Sequence, residues 1–201
     1  MGRWGRIGRA ATVAAVAAMV AACGGGGSSD DTPVSAAGTP SATPTARTAS
    51  AEPASVGSSV DKAFSDRVLE LVNAARAVGR DCGSTAYPAV GPLTWNTQTE
   101  QAARAQAEHL QQNNAFSHTG AGGSTVGDRL TATGYVWSTV GENIAAGFTE
   151  LPDVVNGWIE SPGHCVNIMN GNFVDVGVVL VPGTSSNTYR TYWGMVLARP
   201  R

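Results

Sequence analysis

Lysine is almost missing from this chain: Lys62 stands alone beside twelve arginines. Histidine and cysteine occur three times each, and aromatic residues make up only 6%. The first 22 residues carry Arg3, Arg6 and Arg9 without an acid, which leaves 10 bases against 15 acids in the remainder. A chain with that balance has no basic face to neutralise phosphates, so no nucleic-acid partner is expected. The apolar stretch at residues 10–22 (AATVAAVAAMVAA) has thirteen residues, short of the roughly 20 that a helix needs to cross a bilayer. Neither H-E-x-x-H nor G-x-S-x-G occurs, which removes the zinc-protease helix and the nucleophile elbow as signatures.

What is there begins with an address. Residues 1–9 are basic and residues 10–22 apolar, so residues 1–22 read as a secretory signal excluded from the fold. The signal ends Val20-Ala21-Ala22-Cys23, which resembles the bacterial lipobox. The resemblance implies a diacylglycerol on Cys23 and a membrane partner reached through that anchor, stable only because several acyl chains act together. Gly24, rather than an acid, follows the cysteine and leans the sorting towards the outer membrane. Residues 23–60 comprise this cysteine and a Gly/Ser/Pro/Thr segment without an aromatic residue. Such a segment buries too little apolar surface to offset its ordering entropy. It is expected to be a disordered tether with a reach of about 30–40 Å.

Residues 61–201 form the expected folded domain. Phe64, Val68, Leu71, Val72 and Ala75 recur at helical spacing, with Gly79 as the stop. A second helix follows Trp95, with Thr97 and Glu100 spaced as a capping box and Ala103, Ala107 and Leu110 on one face. Short helices are expected before Gly134 and around Val154, Val155 and Trp158. Another opens at Ser161 (N-cap) and Pro162 (first helical residue). The tail changes period: residues 173–182 and 189–200 are β-rich around the loop GTSSNT. Helices first and strands last predict an α+β fold with antiparallel strands.

With Cys23 in the anchor, Cys82 and Cys165 remain, in a domain expected to be exported. Disulfides persist there, and two cysteines allow one pairing. A bridge between them is favoured over a reactive thiol. His164 precedes Cys165, yet neighbours on a helix diverge by about 100°, so it is poorly placed to serve that cysteine as a base. His118 sits where a helix gives way to a Gly-rich loop, a place where scaffold-held histidines do chemistry. Glu142 adjoins the small apolar run Asn143–Gly147; a carboxylate buried there needs a partner, and an imidazole is a natural one. His109 reads as a boundary or solvated helix residue. Trp95, Trp137, Trp158 and Trp193 read as core; Trp137, in an expected loop, is also the candidate for stacking on a sugar.

The segments NNAFSHTG, GYVWSTVGENIAAG, VVNGWIESPGHCVNIM, FVDVGVVLV and YWGMVLARP, in this order, resemble the CAP superfamily (cysteine-rich secretory proteins, antigen 5 and pathogenesis-related proteins; the SCP domain), most closely its bacterial branch. The likeness covers about residues 65–199. It implies a three-layer α-β-α sandwich with a central antiparallel sheet and a cleft holding two His and two Glu. His118, Glu142 and His164 match three of these positions. The fourth does not carry over: Ser161 holds the place of the glutamate in Trp-x-x-Glu, and Glu160 comes one residue early, about 100° around a helix.

Three readings of the cleft stay open. It could bind a ligand, either a lipid, cell-wall material or a divalent metal; Zn2+ held by His118, His164 and Glu142 is the metal candidate. It could be a hydrolase that uses such a metal, or a His–Glu general base. It could be a satisfied polar network in a non-catalytic extracellular scaffold. No catalytic residue is assigned, and a monomer is expected.

Overall fold

The computed structural model describes residues 57–201, with side chains from Lys62 onward. The expected signal, the expected lipidated Cys23 and most of the expected tether lie outside the described residues; its last four residues, 57–60, are helical and open α1, so the folded part begins before residue 61. α1 (Gly57–Arg76) leads to a hairpin of β1 (Arg80–Cys82) and β2 (Thr85–Tyr87), then to β3 (Thr94–Trp95). α2 (Thr97–Gln112) and α3 (Val126–Ala132) precede β4 (Trp137–Ala146). α4 (Leu151–Glu160), α5 (Pro162–Ile168), β5 (Asp175–Pro182) and β6 (Thr191–Pro200) complete the domain.

The main sheet has the order β3-β5-β6-β4. Its three long strands are antiparallel, as expected. The two-residue β3 departs from that pattern, adding a parallel pair at one edge through Thr94 and Trp95. At the other edge β4 pairs only with β6, so its outer side is free for the segments that build the cleft.

Strand alternation separates two cores. On β6, Trp193, Met195 and Leu197 face a cluster with Val68 and Val72 of α1, Val154 and Trp158 of α4, and Ile168 of α5. Val196 and Ala198 face the other way, against Ala102, Ala103 and Ala107 of α2 and Leu130 of α3. Helices therefore cover both faces of the sheet. The small face of α2 matches glycines on the strands. A Cβ at Gly177 would fall on the backbone of Thr99 and Glu100, and one at Gly194 would sit 2.6 Å from the Ala103 carbonyl oxygen. Helix and sheet thus approach with no side chain between them.

Several ends differ in detail from the sequence reading. α2 is capped by Asn96, whose side-chain oxygen accepts from the Gln98 and Thr99 N–H groups. Glu100 instead accepts from the Trp95 indole and from Arg104. The reciprocal capping box lies at α3, between Thr125 and Asp128. Pro162 begins α5, but Ser161 makes no side-chain cap. α1 stops at Arg76, before Gly79. That arginine is only 1% exposed, and it donates to the carbonyls of Gly91, Ile168, Asn170 and Phe173. Desolvation holds its guanidinium below the ordinary arginine value. The clamp fastens the segment that leaves α5.

Cys82 and Cys165 form the expected disulfide, with Cα atoms 5.5 Å apart across a separation of 83 residues. On the chain-entropy account such a loop is worth roughly 4–5 kcal/mol. It ties α5 to the β1–β2 hairpin.

The close approach of α2 is testable. Gly177→Ala and Gly194→Ala should each lower unfolding stability by about 1–3 kcal/mol or more, as overpacking does. Gly91→Ala, where a Cβ meets nothing within 4 Å, should change it by less than about 0.5 kcal/mol. Urea denaturation of the three variants checks the ranking.

Candidate functional site

The cleft is assembled where three elements meet beside β4. The first is the loop after α2. It is strapped from below by two buried side chains: Gln106 donates its amide to the Ser117 carbonyl at 2.5 Å, and Arg129 of α3 donates to the Ser124 carbonyl at 2.8 Å and to the His118 carbonyl at 3.3 Å. Gly120 makes this convergence feasible. A Cβ there would lie 2.6–2.7 Å from Arg129 Nη1, Gln106 Oε1 and Ser124 Oγ.

The second element is β4, and its Gly-Glu-Asn run divides three tasks. Gly141 has no room for a side chain, since a Cβ would meet the Phe173 ring at 2.9 Å. Glu142 turns to the α2–α3 side. Asn143 turns to the α5 side, where its amide donates to the His164 carbonyl at 3.1 Å. Asn167 of α5 reaches back, donating to the Glu142 carbonyl at 3.0 Å and to Asn143 Oδ1 at 2.8 Å. α5, the third element, is thereby held along the free edge of β4.

Glu142 is the centre of this arrangement. Its side chain is 3% exposed, and both carboxylate oxygens are occupied. Arg129 Nη2 donates to Oε2 at 2.6 Å. His118 Nδ1–H donates to Oε1 at 2.8 Å. A carboxylate next to an arginine is an acceptor only, which assigns the hydrogen of the neutral His118 ring to Nδ1 and leaves Nε2 bare. The His118 side chain is 60% exposed. It borders a cavity of about 320 Å³ lined also by Thr119, Thr125, Val126 and Glu142.

His164 lies nearby on α5, half-buried. Burial, and then the repulsion that His118 would exert if both rings were protonated, hold its imidazole below the ordinary histidine value. The structure thus joins His118 and Glu142 directly and sets His164 within electrostatic reach of His118. Glu160 is exposed at the end of α4 and belongs to no ion pair or hydrogen bond among the described residues. The residue that completes the site is Arg129, which sequence reasoning did not single out.

The donor set limits any metal. Among the described residues, no three His, Cys, Asp or Glu side chains are gathered as a metal-holding group. Each Glu142 oxygen already accepts one hydrogen bond, so the nitrogens of His118 and His164 are the less engaged donors. Two neutral imidazoles suit borderline cations such as Zn2+, Cu2+ or Ni2+ and do not suit Ca2+ or Mg2+, which want oxygen ligands. The residues gathered here do not fit a zinc centre with three protein ligands.

The remaining expectations also find their places. His109 is a half-buried helix residue whose Nδ1 accepts from Asn113. Trp137 is on a strand, not a loop. Its indole N–H donates to Thr131 Oγ1 at 3.0 Å, and its ring fills the space over Gly127, so it packs and is not presented for stacking. No described helix is long and apolar enough to cross a membrane.

Comparison with known proteins agrees with this fold. The sequence pattern described as "Cysteine-rich secretory protein family" matches residues 69–197. The Bacillus subtilis protein YkwD is 32% identical over 123 residues, 61% of this chain and 44% of that protein. The membrane protein YlbC of the same organism is 33% identical over 86 residues, 43% of this chain and 25% of its own length. The chain therefore spans less than half of the curated relatives it matches. Among solved structures, an extracellular SCP-domain protein of Bacillus anthracis aligns with a TM-score of 0.56 at 24% identity, covering 74% of this chain and 45% of that one. An outer surface protein of Borrelia burgdorferi aligns with a TM-score of 0.55 at 21% identity, covering 70% of this chain and 92% of that one. These two likenesses establish the fold.

Two predictions follow from the charges. Removing one member of a buried ion pair strands the other, so Glu142→Ala should lower stability by about 3–5 kcal/mol, while Arg129→Met/Glu142→Leu should recover most of the loss. Unchanged urea midpoints in Glu142→Ala would contradict the pair. For His164, the unfolded chain takes up its proton near pH 6.5, whereas the folded protein does so only at lower pH. Its contribution should be complete above that value and be lost as the pH falls towards the depressed folded value. His164→Gln should flatten this part of the stability–pH curve.

Proposed function

The chain belongs to the cysteine-rich secretory protein family, and from that premise we propose that it is an exported, envelope-anchored ligand-binding domain. Its cleft takes a borderline divalent cation, with Zn2+ as the reference ion, on the imidazoles of His118 and His164. The observation that carries this reading is the His118–Glu142 bond at 2.8 Å. Metal-ligating histidines characteristically donate their second ring nitrogen to a carboxylate, which fixes the tautomer and turns the bare nitrogen outward. A depressed proton affinity at His164 favours the same role, because a ligand imidazole has to be neutral.

Glu142 is an orienting residue in this reading and not a ligand. A metal-dependent hydrolase would need a metal with three protein ligands, and the donor set does not favour one. Export and anchoring rest on the signal-like residues 1–22 and on Cys23. The extracellular and outer-surface descriptions of the two structural relatives are consistent with this location.

Isothermal titration of the full chain tests the proposal. Zn2+ should bind saturably at one site, more weakly below the imidazole range, and Ca2+ should not bind. His118→Ala and His164→Ala should each abolish zinc binding, and Glu142→Gln should weaken it by roughly 10–100-fold. Absence of zinc binding, or binding that survives both histidine changes, would refute it. The anchor is tested separately: acyl labelling should reach the wild type and be lost in Cys23→Ser.

A further inference from the structure

Two of the large apolar side chains exposed on the described surface are neighbours. Phe116 is 47% exposed and Tyr189 is 40% exposed, with ring centroids 6.3 Å apart and planes inclined at 55°. They come from different segments: Phe116 from the loop after α2, Tyr189 from the tip of the β5–β6 hairpin.

Much hydrogen bonding is spent on holding these two segments together. Asn187 donates to the Gln111 carbonyl at 2.7 Å, and the Gln111 side chain donates back to Asn187 Oδ1 at 3.2 Å. Asn114 Oδ1 accepts from the Thr188 N–H at 2.7 Å and from the Tyr192 hydroxyl at 3.0 Å. Asn114 makes these bonds from φ +47°, the one positive φ at a non-glycine among the described residues, a conformation that L-residues adopt at some cost. The Tyr189 ring is braced edge-on by the buried Tyr192, with centroids 6.0 Å apart. The aromatic pair is therefore fixed in orientation while remaining open.

The surroundings narrow what it meets. Exposed Asn113, Ser117, Thr184, Ser185, Ser186 and Thr188 flank the rings, and the only permanently charged side chain in segments 113–119 and 183–190 is Arg190. The turn after β4 also adjoins the pair, since a Cβ at Gly147 would lie 3.6 Å from the Tyr189 ring, and it carries exposed Glu150; one cation and one acid make no patch of a single sign for an anionic lipid surface or a charged peptide. A neutral polyhydroxylated ring fits: its C–H face carries positive partial charge that meets the negative face of an aromatic ring, and its hydroxyls exchange bonds with hydroxyl and amide side chains.

We propose that Phe116 and Tyr189 form a saccharide platform that stacks a neutral pyranose ring of a glycan chain. It adjoins the cleft, since Phe116 is two residues from His118, but it does not depend on the metal reading.

The full chain would be titrated with β-1,4-linked N-acetylglucosamine tetramer and with cellotetraose, followed by tyrosine fluorescence and calorimetry. Saturable binding of either sugar is expected. Phe116→Ala and Tyr189→Ala should each weaken it at least about tenfold, as removal of an aromatic anchor does. Phe116→Tyr and Val136→Ala should retain it, and the melting curves should match the wild type. Zinc binding should be unaffected by the aromatic changes. Absence of binding to both sugars, or binding that persists in both alanine variants, would overturn the proposal. So would association with phosphatidylcholine vesicles that depends on these rings while sugars fail to bind.

Discussion

A carboxylate with 3% of its side chain exposed is costly to bury without partners, and a permanent cation is the strongest of them. In this domain that cation is Arg129, whose side chain is 5% exposed. Much of the cleft follows from burying this pair. Arg129 must come from a helix directed at β4, and the Thr125–Asp128 capping box starts α3 at the required place. The loop between α2 and α3 must pass over the guanidinium without a side chain at Gly120. Once Arg129 has taken one oxygen of Glu142, the other is presented to a single donor, and His118 supplies it. The pair thus acts less as a source of stability than as a device that sets one imidazole in one orientation, since buried ion pairs are weak net stabilisers.

The second side of the cleft is held by different means. α5 is a seven-residue helix, too short to be stable by itself. It is fixed by the disulfide at Cys165, by the Asn143 and Asn167 amides against β4, and by Arg76 at its exit. Histidine and cysteine stand side by side in the sequence because one short helix has to be both stapled and aimed. The same local sequence therefore carries stability on one face and chemistry on the other.

Much of this was legible in the sequence. Period and punctuation marked the helices and the β5–β6 hairpin, and the cysteine count anticipated the bridge. Five ordered segments indicated the family. The His118–Glu142 partnership followed from asking what a buried carboxylate needs. That reading stopped at imidazole and did not reach Arg129. Arg129 was hidden because an arginine in a short helix ordinarily reads as solvated. β4 was not anticipated, because Gly141, Glu142, Asn143, Ala145 and Ala146 lack strand propensity; pairing with β6 overrides that. The Thr97–Glu100 spacing was misleading because Asn96, one residue earlier, is the better cap. The exposed position of Glu160 follows from the one-residue offset seen in the sequence.

The central claim is that Arg129, through Glu142, fixes the tautomer of His118. Nitrogen-15 NMR of the His118 ring in the metal-free full chain tests it most directly. At a pH where the ring holds a single hydrogen, the account predicts that hydrogen on Nδ1, with Nε2 bare, and loss of that preference in Arg129→Met/Glu142→Leu. A ring protonated at Nε2 in the wild type, or a preference unchanged in the double variant, would contradict it.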